Sequence, residues 1–221
     1  YDRATGIFSH IPMTFKEGGK LEVNVSTIIE RANGEILIGT SGHGIFLLNV
    51  TEGHIEARQV PGFVPSYLIN QIYEDRNGTL WVITNDKGIY SIDTNQKMTH
   101  YPNGREIVWP SSICEDKTGN IYVGCLKNGL FKYNPQTNGF THIKCSSHPE
   151  LPIKTLYNIN QDEIYIGTDG NGMKVYNIQK GQIMESPVNI TSFNFDKSKV
   201  HSILKDNQGN IMYFGLIKVE T

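Results

Sequence analysis

The 221-residue chain is short of charge, of cysteine and of long apolar runs, and each shortage removes a class of protein. Charged residues are 19% of the total and nearly cancel, 20 Lys and Arg against 22 Asp and Glu. No basic face is therefore expected to hold a phosphate backbone, and nucleic acid is excluded as a partner. The longest apolar stretches, such as Gly44-Ile45-Phe46-Leu47-Leu48, fall far below the ~18 residues of a membrane span, so this segment makes no membrane contact. Three cysteines, Cys114, Cys125 and Cys145, leave at least one unpaired in a monomer, and no C-x-x-C supports a zinc knuckle or a redox pair. Cys114 and Cys125 fall on neighbouring expected strands and could approach each other, yet all three read best as small buried hydrophobes. G-x-S-x-G, H-E-x-x-H and G-x-x-x-x-G-K-[ST] are all missing, so no catalytic residue, metal ligand or cofactor is assigned. No segment holds an i, i+3, i+4, i+7 apolar stripe, which makes helix a minor component. There is no signal peptide and no initial Met, and Tyr1 reads as an expression or processing boundary. With 38% hydrophobic residues and 22 glycines, the chain is too apolar for disorder. What remains is a folded, β-rich unit cut from something larger.

What is present is a repeat. Four segments align without forcing: Ser26 to Asn49, Asn70 to Asp93, Ser111 to Asn134 and Lys154 to Asn177, with a fifth beginning at His201. The turn position is Gly34, Gly78, Gly119, Asp162 and Gly209, at spacings of 44, 41, 43 and 47 residues. Five residues on come Gly39, Ile83, Gly124 and Gly167, and five further on Gly44, Gly88, Gly129 and Gly172. Each copy reads as four strands. A short apolar strand is followed by a tight turn whose Asn33-Gly34 or Asn77-Gly78 supplies positive φ. A second, more apolar strand ends at the first glycine, a third starts after the second glycine, and a fourth follows a turn such as Asn134 to Gly139. Four antiparallel strands every ~43 residues are the signature of a β-propeller blade. One blade cannot cover both its faces, so neighbours must bury each other's apolar sides.

The expected organisation is all-β: residues 1–24 as the end of a preceding blade and a linker, blades at 25–66, 67–108, 109–150 and 151–198, and an incomplete blade at 199–221. Tyr1 to Ile11 matches Tyr133 to Ile143, with one residue fewer before the turn glycine, which makes it a last blade strand. Either the chain is an arc of about five blades from a larger ring, seven-bladed by the resemblance below, or its first strand completes the final half-blade and closes a five-bladed ring. Gly215 is shifted by one position in the fifth copy, which favours the arc.

The pattern E-D-x-x-G-x-[LI]-[WY]-[VI], then a short, mainly polar spacer and G-[ILM]-[FY], resembles the regulator-propeller repeat of hybrid two-component regulators. Glu74-Asp75-Arg76-Asn77-Gly78-Thr79-Leu80-Trp81-Val82 and Glu115-Asp116-Lys117-Thr118-Gly119-Asn120-Ile121-Tyr122-Val123 are its best copies. The similarity extends over roughly residues 1–215. Leu37, Tyr122, Tyr165 and Met212 depart from the family's Trp, and Ile83 from its glycine. The resemblance implies a periplasmic sensor propeller, part of an inner-membrane protein, whose ligands are complex-carbohydrate fragments and whose kinase lies outside this segment.

The residues themselves favour binding over catalysis. Asp116-Lys117-Thr118-Gly119 has a superficial calcium-loop look but lacks spaced acidic ligands, and it reads as a hairpin turn. His10, His100 and His142 recur on fourth strands and read as packing residues. In a propeller, the loops between strands two and three and those between blades open on one face. There the candidates are Tyr67, Arg105, Trp109, His148, Asp169 and Asn171, beside His43, Asp86 and Lys127. Aromatic rings among Asn, Asp and Arg suit sugars, which present C–H faces and many hydroxyls. The expected partners are an oligosaccharide, neighbouring blades or domains of the parent receptor, and a second copy of the chain. The second reading is a protein-interaction scaffold with no small ligand.

Overall fold

A computed structural model describes residues 4–14, 22–51, 54–104, 107–144, 150–186 and 197–216. Nineteen strands are defined among them. The first blade holds β2 (Val25–Glu30), β3 (Ile36–Thr40), β4 (Gly44–Thr51) and β5 (His54–Gln59), with β1 (Met13–Thr14) running parallel to β5 at its outer edge. The second holds β6 (Ile69–Glu74), β7 (Leu80–Thr84), β8 (Gly88–Ile92) and β9 (Met98–Pro102). The third holds β10 (Val108–Glu115), β11 (Ile121–Lys127), β12 (Gly129–Asn134) and β13 (Gly139–Ile143). The fourth holds β14 (Ile153–Asn158), β15 (Glu163–Thr168), β16 (Met173–Asn177) and β17 (Gln182–Glu185). A last, two-stranded sheet pairs β18 (Lys199–Lys205) with β19 (Ile211–Leu216). The fold is a β-propeller, as the repeat predicts.

Alternation along each second strand divides its side chains between two interfaces. Leu80 and Val82 join Leu37, Ile45 and Ile72 between blades one and two, whereas Trp81 and Ile83 join Ile113, Val123 and Phe131 between blades two and three. Tyr122 and Leu130 then pack on Ile153 and Ile166, and Val175 on Val200 and Ile203. The core is thus a series of layers between sheets. Glycine at the second strand's end lets the layers close: a Cβ on Gly39 would lie 2.7 Å from Ile69 Cγ2, and one on Gly167 would lie 2.8 Å from Val200 Cγ1.

All five first strands carry a β-bulge at one repeat position, occupied by Ser26, Asn70, Ser111, Lys154 and His201. A bulge re-aims the side chain of its extra residue, and in the first three blades it aims at the next blade. Ser26 Oγ donates to Ile69 O at 2.6 Å, Asn70 Nδ2 to Pro110 O at 3.1 Å, and Ser111 Oγ to Ile153 O at 2.6 Å.

Residues 4–11, expected as part of a last blade strand, form no strand. The strand β1 follows them, on the first blade's outer edge and not beside β18 and β19, and Met13 is buried against Ile38, Phe46 and Ala57 there. The described sheets form an open arc. Ile28 on the first sheet and Phe214 and Leu216 on the last are exposed. Cys114 and Cys125 are buried and unbridged, registered with Tyr122 and Pro110 respectively, and burial pushes the Cys125 thiol up to about 12. Cys145 lies outside the described residues.

Candidate functional site

The loops between blades and those after each second strand meet on one face, joined by backbone hydrogen bonds. Gly42 N and Gly44 N donate to Tyr67 O at 2.8 and 3.0 Å, Asn85 N to Leu68 O at 2.9 Å, and Gly172 N to Ser198 O at 3.0 Å. Within each loop a threonine ends the second strand and staples the turn. Thr40, Thr84 and Thr168 donate from Oγ1 to Gly44 O, Gly88 O and Gly172 O, and accept from His43 N, Lys87 N and Asn171 N. The repeat therefore contains a T-x-x-x-G loop motif that the strand-and-glycine alignment does not register.

The third blade breaks that motif, because Cys125 stands where the others have threonine. With no hydroxyl to staple the turn, β11 runs on to Lys127, Asn128 turns at φ 71°, and β10 begins as early as Val108 to pair with Lys127. This extension carries Trp109. Its ring is half exposed, Lys127 Nζ sits 4.5 Å from the ring centroid, and its backbone is at φ 53°. Positive φ in a bulky residue is an outlier costing roughly 1–3 kcal/mol, and the following Pro110 disfavours helical backbone before it as well. Such strain persists where surrounding structure fixes it, and it clusters at ligand clamps. Pro110 also occupies the place of Ile69, Ile153 and Val200 in the other blades. The facing second strand is the one with Ile83 in place of glycine, so the two departures meet at one interface.

The remaining candidates lie on the same face but at other junctions. Tyr67 is exposed between blades one and two, its backbone holding the Gly42–Gly44 loop. Asp169 and Asn171 lie between blade four and β18, where Lys199 Nζ reaches Asp169 Oδ1 at 2.8 Å. That close contact with Lys199, with the charges of Lys154 and His201, holds the Asp169 carboxyl below its ordinary value although partial burial opposes it. Asp86 is committed to Ser66 Oγ at 2.6 Å. Arg105 and His148 lie outside the described residues. Among the described residues no hydrogen bond or ring contact joins Tyr67, Trp109 and Asp169 into one cluster.

On the opposite face the motif residues have structural work. Asp75 Oδ1 accepts from Asn77 N and Thr79 N, and its Oδ2 accepts from Trp81 Nε1, each at 2.9 Å. Asp116 repeats this with Thr118, Asn120 and the Tyr122 hydroxyl, so the calcium-like segment is a hairpin turn. The glutamate before each aspartate ties blade to blade. Glu74 takes Arg31 Nη2 at 3.1 Å and Ala32 N at 2.7 Å, and Glu115 takes Arg76 Nε at 2.5 Å and Arg76 N at 3.1 Å. Two of the three histidines pack as expected: His100 stacks on its cross-strand partner Tyr90 at 4.3 Å, and His142 lies 4.8 Å from Phe131, whereas His10 is exposed and lies on no strand.

The family model described as two component regulator propeller matches residues 64–86, which bears out the resemblance read from the repeat. No curated protein sequence matches the chain. Its fold is similar to the extracellular domain of the putative hybrid two component system BT4673 from B. thetaiotaomicron, with TM-score 0.74 and 24% identity over 99% of this chain and 30% of that one. The extracellular domain of the putative hybrid two component system BT3049 from the same organism gives 0.64 and 19%, over 89% of this chain and 28% of that one. Virginiamycin B lyase from Staphylococcus aureus gives 0.61 and 16%, over 86% and 63%. This chain spans about a third of the length of the two extracellular domains. Among the described residues no helix is long and apolar enough to cross a membrane.

Proposed function

We propose that this chain is part of the periplasmic, ligand-recognising propeller of a hybrid two-component regulator, and that it binds a polysaccharide-derived oligosaccharide on its loop face without catalysing a reaction. The observation that carries the binding site is Trp109: a half-exposed ring beside Lys127, on a backbone held at φ 53°. An indole gives a sugar's C–H face an apolar platform, and the lysine gives its hydroxyls a donor. The sensor role rests on the repeat match and on the fold shared with extracellular domains of two-component systems. Loops on a rigid scaffold suit recognition, and a bound glycan would act by favouring one placement of neighbouring domains or protomers over another. The kinase that reads this placement lies outside the chain.

Calorimetric titration of the chain with an oligosaccharide panel, alongside a Trp109→Ala variant, tests the proposal. Saturable binding by one glycan class, weakened at least tenfold in the variant, is the expected result. Silence across the panel sinks carbohydrate recognition, and wild-type affinity in the variant sinks the site. The scaffold reading draws on the exposed apolar residues of the last sheet, Phe214 and Leu216. It predicts concentration-dependent association with no response to any glycan.

A further inference from the structure

The face opposite the loops holds a cleft between blades two and three that none of the roles above uses. Blades touch near the axis and diverge outward, so large rings are needed to fill the wedge between them. Here Trp81, Tyr101, Tyr133 and Phe140 do so, with Trp81 lying 5.0 Å from Tyr133 and Tyr101 lying 5.2 Å from Phe140 between centroids. The filling is incomplete, and a cavity of about 450 Å³ remains above the rings, bounded by the hairpin turns of both blades. That volume is within the ~300–1,000 Å³ range of small-ligand sites.

The polar groups around the cavity are arranged by one residue, Asn138. Both tyrosine hydroxyls donate to its Oδ1, Tyr101 at 2.8 Å and Tyr133 at 2.9 Å, and its backbone is in the left-handed region at φ 49°. Its carbonyl is thereby spent, while its side-chain N–H groups have no partner among the described residues. Across the cleft Asp93 Oδ1 accepts from Asn95 N and Lys97 N at 2.9 Å each, which leaves Oδ2 available. Lys97 is exposed beside it, with no ion pair among the described residues.

We infer that this cleft is a second binding site, for a neutral sugar of one or two rings. The aromatic floor matches a pyranose C–H face, and the rim presents unspent donors on Asn138 and Lys97 opposite unspent acceptors on Asp93 and the Tyr133 oxygen, the Tyr101 oxygen being shared with Ser91 Oγ at 3.4 Å. Hydroxyl groups, which both donate and accept, satisfy such a mixed rim. An apolar ligand leaves it desolvated and unpaired, at a cost. An ionic ligand meets Lys97 and Asp93 together, and their charges cancel. The site shares its ligand class with the loop-face reading but none of its residues, so either can fail alone.

The chain has two tryptophans, and Trp81 lies in the floor of the cleft. In a Trp109→Phe background its fluorescence therefore reports this site with the loop-face indole removed. Titration with a panel of neutral mono- and disaccharides should give a saturable change in Trp81 emission. Asn138→Asp, which keeps the acceptor for both tyrosines but removes the amide donors, should weaken binding at least tenfold. Lys97→Ala, at an exposed side chain, should do the same and covers the case in which the first variant does not fold. No Trp81 response to any sugar overturns the site, and so does a response of unchanged affinity in Lys97→Ala. Binding seen only when Trp109 is intact assigns the sugar to the loop face and also overturns it.

Discussion

Glu115 shows how much of a blade interface one side chain can hold. Its two oxygens take the guanidinium and the backbone N–H of Arg76 and the hydroxyl of Tyr73, all from the preceding blade. Its side chain is only 7% exposed, and removing it leaves the part-buried Tyr73 hydroxyl without this acceptor, while Arg76, 45% exposed, can still meet water. We expect Glu115→Ala to cost about 1–3 kcal/mol in urea unfolding, the range for losing hydrogen bonds to a charged group. Glu115→Gln, which keeps an acceptor, should cost less. Asp116 beside it gives a pH signature. Burial alone would raise its carboxyl, but hydrogen bonds from Asn120 and Thr118 outweigh this and hold it below the ordinary value. A folded-state value below the unfolded one stabilises the fold above the unfolded value, and this contribution is lost as pH falls through the folded one. Urea midpoints should therefore fall on acidification below the ordinary carboxylate range, and Asp116→Asn should flatten that limb. An acid limb identical in the two proteins would contradict this role.

At the scale of the element, the spacing of strand-end glycines predicts close approach, and the packing bears this out. A Cβ on Gly124 would overlap Ile153 Cγ2 across the interface of blades three and four. Gly124→Ala should then cost about 1–3 kcal/mol by overpacking. Ile153→Leu, which removes that methyl branch, should recover part of the loss in the double variant, and strictly additive effects would rule the clash out. Strands, turns and blade register were legible in the sequence because the same physical requirement recurs at fixed spacing: positive φ at Gly78 and Gly119, a turn-capping aspartate at Asp75 and Asp116, a small residue at Gly39 and Gly167. The site was less legible for the converse reason. Trp109 stood out as a residue type, but its strained backbone follows from a single departure, Cys125 in place of a stapling threonine, which matters only once β10 and β11 are paired. The cleft around Asn138 gave no signal at all. Its rings come from four strands of two blades, and Asn138 read only as turn chemistry.

For the whole molecule, a one-dimensional stack of layers has no single core, and its stability should vary along the arc. Every residue of β7 and β8 is buried, whereas β19 is largely exposed on a sheet with only two strands. Native-state hydrogen exchange should show the strongest protection in the second and third blades and the weakest in β19, with β3 and β15 between them. Uniform protection would mean that the arc unfolds as one unit. The proposed recognition of a glycan on the loop face can be followed residue by residue through backbone amide shifts during an oligosaccharide titration. Saturable shifts centred on Trp109 and Lys127 are the expected result. Saturable shifts that leave these two residues unmoved, or no shifts with any glycan, would contradict it.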